Sequence, residues 1–222
     1  MAAGGGRRMG GEPKQFRLLG GAPVMCWSAR PLLDSITGPL VIVLPRDSIE
    51  EGAQLLEEHL SDRSGRIRLA AGGARRQDSV RAGLAALQEE AGTVLVHDAS
   101  RPFASADLAA RVARRAAGRW AVVPALPIPD TLKEVEGSRV VRTHDRIRFV
   151  AAQTPQGFPI ELLRRAHAET ALNDATDDAA LCEAAGVAVS WIPGEATNRK
   201  LTDAGDWAWA EERVAAGAVR WG

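Results

Sequence analysis

The chain opens on Ala2-Ala3-Gly4-Gly5-Gly6-Arg7-Arg8-Met9 and runs on through Gly10-Gly11-Glu12-Pro13-Lys14. Consecutive glycines let backbone N–H groups close in on a polyphosphate, and the two arginines and the lysine set positive charge beside them. The pattern reads as a phosphate cradle. It is not a Walker loop, whose lysine directly follows the last glycine and precedes Ser or Thr. For the glycines alone, a flexible terminus with incidental arginines is an equal alternative. A second cluster, His97-Asp98-Ala99-Ser100-Arg101-Pro102, ends the most apolar run of the chain. A carboxylate emerging there could hold Mg²⁺, which takes one or two carboxylates and completes its shell with phosphate oxygens and water. The ordinary alternative for Asp98 is a strand-end cap of the next turn. His97 reads as a structural hydrogen-bonding histidine, because an attacking phosphate needs no base to deprotonate it.

A third segment, Gly72-Gly73-Ala74-Arg75-Arg76-Gln77-Asp78-Ser79, could present backbone amides and the Ser79 hydroxyl to a base or phosphate. A glycine turn followed by a serine N-cap explains it equally well. Polar loops at residues 153–158, 175–178 and 198–202 complete the candidates. The six tryptophans are read as core or interface residues.

These residues need elements to position them. Apolar runs at 40–45, 93–98, 120–126 and 187–193, with a shorter one at 67–70, predict buried strands. Helical spacing follows the caps Asp78 and Ser79 through Val80, Leu84 and Leu87, and follows Ser105 through Leu108 and Val112. A third helix is expected from Pro159 through Leu162, Leu163 and Ala166, and a fourth over 177–185, closed by Gly186. This alternation predicts an α/β fold, a mostly parallel sheet with helices on both faces, with ligands beyond the carboxyl ends of the strands. Residues 130–146 break the rhythm: a polar alternating stretch with Glu136-Gly137-Ser138 as its turn predicts a β-hairpin. An arm toward another subunit and a plain surface excursion both fit it.

At 222 residues and 45% hydrophobic content, one domain over 1–222 is expected. Lys plus Arg, 28, balances Asp plus Glu, 28, so no overall field draws the chain to nucleic acid or to an anionic membrane. Cys26 and Cys182 show no metal-ligand spacing and argue against a secreted disulfide scaffold, which favours a cytoplasmic setting. No apolar run approaches the ~20 residues that span a bilayer.

Taken in order, AAGGGRRM, PKQF, GGARRQDSV, VHDASRPF, DTLK, HDR, QTPQGF, ATDDA and NRKLT resemble the motifs of the 2-C-methyl-D-erythritol 4-phosphate cytidylyltransferase family, from residue 2 to beyond 200. The resemblance implies a Rossmann-like homodimer and a Mg²⁺-dependent step of non-mevalonate isoprenoid synthesis. CTP and 2-C-methyl-D-erythritol 4-phosphate would yield 4-diphosphocytidyl-2-C-methyl-D-erythritol and pyrophosphate. Carried over by position, it places the glycine loop on Ala2, Ala3, Gly4 and Gly6, with catalytic cations at Arg8, Lys14 and Lys200. The cytidine loop falls on Gly73, Arg76 and Ser79, and the metal contact on Asp98. Substrate-side contacts fall on Arg101, Thr154 and Thr176, and on Thr131 and Arg146 of the arm, which would reach the neighbouring subunit's site.

Three departures stand out. The family's apolar strand before the glycine loop has no counterpart ahead of Ala2, so a central strand is expected to be absent. An upstream reading frame encoding about five to eight apolar residues is expected to supply it. Arg75 stands where the family usually has an acidic residue, and Arg199 stands between Asn198 and Lys200 where it has an apolar one. The cyclodiphosphate synthase domain fused to some relatives is not expected within these 222 residues. A ribitol 5-phosphate cytidylyltransferase and a non-catalytic nucleotide-binding relic remain as alternatives.

Overall fold

A computed structural model describes residues 13–118, 120–169 and 175–221. The expected glycine loop, with Ala2, Ala3, Gly4, Gly6 and Arg8, lies outside the described residues. In chain order the elements are β1 (Leu18–Leu19), β2 (Ala22–Pro23), α1 (Val24–Ser35), β3 (Leu40–Leu44), α2 (Ile49–Leu60), β4 (Ile67–Ala71), α3 (Arg76–Ala86), β5 (Thr93–Val96) and α4 (Ala106–Ala116). There follow β6 (Ala121–Pro127), β7 (Leu132–Glu136), β8 (Arg139–His144), β9 (Val150–Ala152), β10 (Gln156–Pro159), α5 (Ile160–Glu169), α6 (Asp178–Ala184), β11 (Val189–Pro193) and α7 (Ala204–Ala215).

Local chemistry sets most of these boundaries. The Ser105 hydroxyl accepts the Leu108 N–H at 2.9 Å and opens α4, whose Leu108, Ala109, Val112 and Ala116 are buried. Asp177 likewise accepts the Ala180 N–H at 2.9 Å to open α6. That helix ends as expected on Gly186, at φ +73°, where a side chain would be strained. Two expectations are corrected. Helix α3 starts at Arg76, not after Asp78 and Ser79, because the Asp78 carboxylate reaches back to the Arg75 N–H at 3.3 Å and caps the turn from inside. Pro159 closes β10 instead of opening α5.

The sheet comes in two pieces. β3 and β4 pair in parallel, Leu40 opposite Ile67. The larger piece has the order β11-β6-β10-β5, with β11 parallel to β6 and β9 paired antiparallel to β6. β10 runs antiparallel to both of its neighbours, so β5, β6 and β11 share one direction and β10 is the exception to the parallel expectation. Gly157 allows this insertion, since a Cβ there would come within 2.7 Å of Val112 Cγ1 on α4. Helix α4 can therefore lie flat on β10.

Among the described residues β3 pairs only with β4, and β5 only with β10. Between them lies a cavity of about 510 Å³, lined by Val41 and Val43 of β3, Val94 and Val96 of β5, Met25 of α1 and Leu84 of α3. Among the described residues no strand lies between β3 and β5. Residues 132–144 form the expected hairpin, with Leu132 opposite His144 and Gly137 turning at φ +58°. Cys26 and Cys182 are buried thiols in separate clusters. No helix among the described residues is long and apolar enough to cross a membrane.

The cavity gives a direct test. About six alternating valine and isoleucine residues engineered ahead of Met1 should lie between β3 and β5 and raise Tm by at least roughly 3 °C, the shift that ~1 kcal/mol produces in a domain of this size. Thermal unfolding and amide exchange at Val43 and Val96 check it. An unchanged Tm with unchanged exchange contradicts the assignment of the gap.

Candidate active site

β5 ends by delivering His97 and Asp98 to the carboxyl edge of the sheet. The Thr154 hydroxyl accepts the Asp98 N–H at 3.0 Å and lies 3.0 Å from His97 Nδ1. His97 Nε2 is 3.0 Å from the Arg101 carbonyl. One assignment satisfies all three contacts: a neutral imidazole carrying its proton on Nε2, with the threonine hydroxyl donating to Nδ1. Burial drives the His97 pKa down to about 4, which keeps the ring neutral. The structural role expected for His97 is the one observed.

Asp98 is held on its other side by charge. Burial alone would raise its pKa, but the Lys200 ammonium, 2.9 Å from Oδ2, brings it down to about 2. Arg101 Nε stands 3.8 Å from the same oxygen. The Arg101 guanidinium is fixed by donating to the Asn198 carbonyl at 2.9 Å and the Ala152 carbonyl at 3.3 Å. Buried Asn198 donates to the Thr154 carbonyl at 2.7 Å, and buried Gln153 donates to the Glu195 carbonyl at 2.8 Å. The loops after β5, β9 and β11 are thus tied together by buried amides. Lys14 joins them by donating to the Thr202 carbonyl, two residues beyond Lys200. The chain has three lysines, Lys14, Lys133 and Lys200, and two of them meet here while its other cations are arginines. A compact, rotatable ammonium suits a phosphate site as a point charge.

The second loop folds onto α3. The Gly73 N–H reaches the Ser79 hydroxyl at 3.2 Å, and a Cβ on Gly73 would come within 2.4 Å of Asp78 Cβ. Only glycine lets this loop close on its helix. Ser79 also meets the Arg75 carbonyl at 3.1 Å, so its hydroxyl ties the turn. Arg75 is spent on Asp78 at 2.8 Å, which accounts for a cation in a place where an acid was expected. Arg76 NH2 donates to the buried Asp178 carboxylate at 2.7 Å, and His167 Nε2 holds the other carboxylate oxygen at 3.1 Å. Arg76 adds to the field that lowers the Asp98 pKa.

Lys14, Asp98, Arg101, Thr154 and Lys200 therefore form one connected group, with Arg76 close by. Thr176 is exposed in the loop ahead of α6. Thr131 and Arg146 are exposed at the base of the hairpin, and the Arg146 guanidinium bonds the Pro129 carbonyl instead of any member of the group. Arg199 pairs with Asp206 at 2.6 Å. Sequence reasoning assigned no role to Gln153, His167, Asp178, Asn198 or Asp206. Gln153, Asp178 and Asn198 stand inside quoted motifs, whereas a lone histidine on an amphipathic helix carries no signal that marks it.

Among the described residues no three His, Cys, Asp or Glu side chains cluster as a metal site. A lone carboxylate still fits Mg²⁺, whose remaining ligands come from phosphates and water. Both neighbouring cations approach Asp98 through Oδ2, which leaves Oδ1 for such an ion.

Residues 1–215 match the family described as IspD, 2-C-methyl-D-erythritol 4-phosphate cytidylyltransferase. A bifunctional enzyme IspD/IspF of Solidesulfovibrio magneticus is 45% identical over 97% of this chain and 56% of its own length. The 2-C-methyl-D-erythritol 4-phosphate cytidylyltransferase of Streptomyces coelicolor is 43% identical over 90% of this chain and 78% of its own. The chain spans little more than half the length of the bifunctional relatives it matches. Among solved structures, the 2-C-methyl-D-erythritol 4-phosphate cytidylyltransferase of Thermus thermophilus superposes with a TM-score of 0.77 at 38% identity, covering 98% of this chain and 96% of that one. The 4-diphosphocytidyl-2C-methyl-D-erythritol synthase of Anaerococcus prevotii gives 0.82 at 28% identity, covering 95% and 92%.

His97 makes the site acid-sensitive. Its folded pKa of about 4 lies below the ordinary value of about 6.5, so between those values the unfolded chain binds more protons and stability falls as pH falls. The full effect is roughly 3 kcal/mol. Urea unfolding from pH 7 to 4.5 should show this loss, with a shallower slope in His97→Asn. Equal slopes in the two proteins contradict it.

Proposed function

This chain belongs to the 2-C-methyl-D-erythritol 4-phosphate cytidylyltransferase family, and from that premise we propose that it transfers the cytidylyl group of CTP to 2-C-methyl-D-erythritol 4-phosphate. The observation that carries the proposal is the convergence of Lys200 and Arg101 on Asp98 at the carboxyl end of β5, with Lys14 bonded to the Thr202 carbonyl two residues beyond Lys200. A phosphate oxygen of the alcohol phosphate attacks the α-phosphorus of CTP in line. The α–β bridging bond breaks, and pyrophosphate leaves with the electron pair. Negative charge grows on the nonbridging oxygens and on the leaving group, so the work of this chain is to fix cations before the charge appears.

Lys14 and Lys200 take that role, with Arg8 of the glycine loop as the third cation. Gly73, Arg76 and Ser79 face the cytidine, with Ala2, Ala3, Gly4 and Gly6 along the triphosphate. Arg101, Thr154 and Thr176 stand on the substrate side. Asp98 would hold Mg²⁺, which supplies charge neutralisation to the phosphates when bound. Neutral His97 moves no proton in this scheme; it orients Thr154 and, through it, the Asp98 backbone.

The hairpin supports a homodimer. Val135, Val140 and Ile147 are 58%, 55% and 87% exposed, a run of apolar surface that a second copy would cover. Thr131 and Arg146 lie at its base and would then complete the partner's substrate pocket. A cytoplasmic setting fits the two unpaired thiols.

The direct test incubates the protein with CTP, Mg²⁺ and either 2-C-methyl-D-erythritol 4-phosphate or ribitol 5-phosphate, and follows pyrophosphate and the cytidylyl product. Turnover with the first substrate is expected; preference for ribitol 5-phosphate, or none with either, overturns the proposal. Lys14→Ala and Arg8→Ala should each lower kcat on the order of 100-fold with the fold intact by circular dichroism. Near-normal turnover removes that residue from the mechanism. Mixing Arg146→Ala with Lys14→Ala subunits should restore part of the activity, because one site of the mixed dimer keeps both residues. No recovery after demonstrated subunit exchange contradicts the crossing arm.

A further inference from the structure

The segment that carries Lys200 is held by one buried carboxylate on the next helix. Asp206, in the first turn of α7, is 3% exposed. Its Oδ2 accepts the Thr202 N–H at 2.7 Å, the Asp203 N–H at 3.2 Å and the Thr202 hydroxyl. Its Oδ1 pairs with Arg199 Nε at 2.6 Å. On the opposite side, the Leu201 N–H donates to the Ser100 carbonyl at 2.7 Å. Residues 199–203 are therefore pinned from both sides, with Lys200 between the pins.

The Asp203 N–H belongs to the same planar peptide unit as the Thr202 carbonyl, and that carbonyl is the acceptor for Lys14. The bond is trans, so its N–H and C=O point in opposite directions. A carboxylate thus sits at the N–H end and an ammonium at the C=O end of one peptide dipole, which is favourable at both ends. Rotation of that peptide would break both contacts together. A helix cap alone would need only the Asp203 N–H and the reciprocal bond from the Asp206 N–H to Asp203 at 2.9 Å. The bonds to Thr202 and Arg199 go beyond it.

We propose that Asp206 is a positioning residue for cytidylyl transfer: it sets Lys14 through the Thr202–Asp203 peptide and Lys200 through the pinned segment, with Arg199 as its charge partner. The inference rests on the function proposed above. It also explains why a charged residue stands at position 199, beside a lysine that already faces the phosphates.

The test uses two variants and two readouts. Asp206→Asn removes the charge, and its single carbonyl oxygen can serve either the Thr202 and Asp203 N–H groups or Arg199, but not both. It should lower kcat between about tenfold and 100-fold, the scale of an ångström misplacement, with KM for CTP within about threefold. Acetylation of the lysines, followed by mass spectrometry, reads position without turnover: Lys14 should label severalfold faster in Asp206→Asn, with Lys133 on the hairpin as the unchanged internal reference. Arg199→Leu keeps the bonds from Asp206 to Thr202 and Asp203, and should lower kcat by about three- to tenfold. It decides the matter if Asp206→Asn does not fold. A folded Asp206→Asn protein with kcat within twofold of the parent and unchanged Lys14 labelling overturns the inference. So does an Arg199→Leu protein indistinguishable from the parent where the first variant fails to fold. A parent protein that turns over no CTP sinks the functional proposal instead, and the labelling ratio still decides the positioning role.

Discussion

The contact between Lys200 and Asp98 is the constraint on which the site depends. Asp98 has a side chain only 14% exposed, and burial by itself would push it toward its neutral acid. The ammonium 2.9 Å away keeps it ionised, and an ionised carboxylate is what a divalent cation or a guanidinium can meet. The pair in turn needs a rigid frame, because a lysine on a free loop would lose its geometry to side-chain entropy. Buried amides supply that frame: Asn198 on Thr154, Gln153 on Glu195, and the Asp206 hub on residues 199–203. The cations are thus preorganised by neutral and acidic groups that never face the substrate.

The fold carries this arrangement to the edge of a sheet that is divided beside it. β5 leads into His97 and Asp98, yet among the described residues one side of β5 faces a largely apolar cavity and not another strand. The site stays tied together across β9, β10 and the loop after β11, on the side away from the gap. The cavity nevertheless reaches the site, since His97 and Ala99, on either side of Asp98, line it, while the ties from Asp98 to Thr154 and Lys200 hold the charge frame together.

Periodicity makes β3 to β8, β11 and four of the helices legible, because continuous apolar runs and caps such as Ser105 and Asp177 state their own ends. Helices α1, α2 and α7 were not read. α1 carries Pro31 inside it and an apolar stretch that shows little alternation, so its pattern does not separate from that of a buried strand. β10 has the composition of a polar loop, whereas its Gln156 is buried and donates to Asp177 at 2.7 Å. The site residues were legible only through ordered motifs. Spacing alone leaves Asp98 between a metal contact and a strand-end cap, and Ser79 between a ligand contact and a turn-former, and Ser79 does tie its turn. The frame of buried partners was invisible, because His167 meets Asp178 and Asp206 meets Arg199 through the fold and not through the chain.

In the proposed transfer, the lysines act on charge that develops on the phosphates. The measurement that tests this most directly is the single-turnover rate of product formation from CTP labelled at the α-phosphorus, in the parent and in Lys200→Met, beside the CTP dissociation constant of each. The expected result is a chemical step slowed by on the order of 100-fold or more, with CTP affinity changed by less than about tenfold. An unchanged chemical step, or a loss confined to CTP affinity, contradicts it.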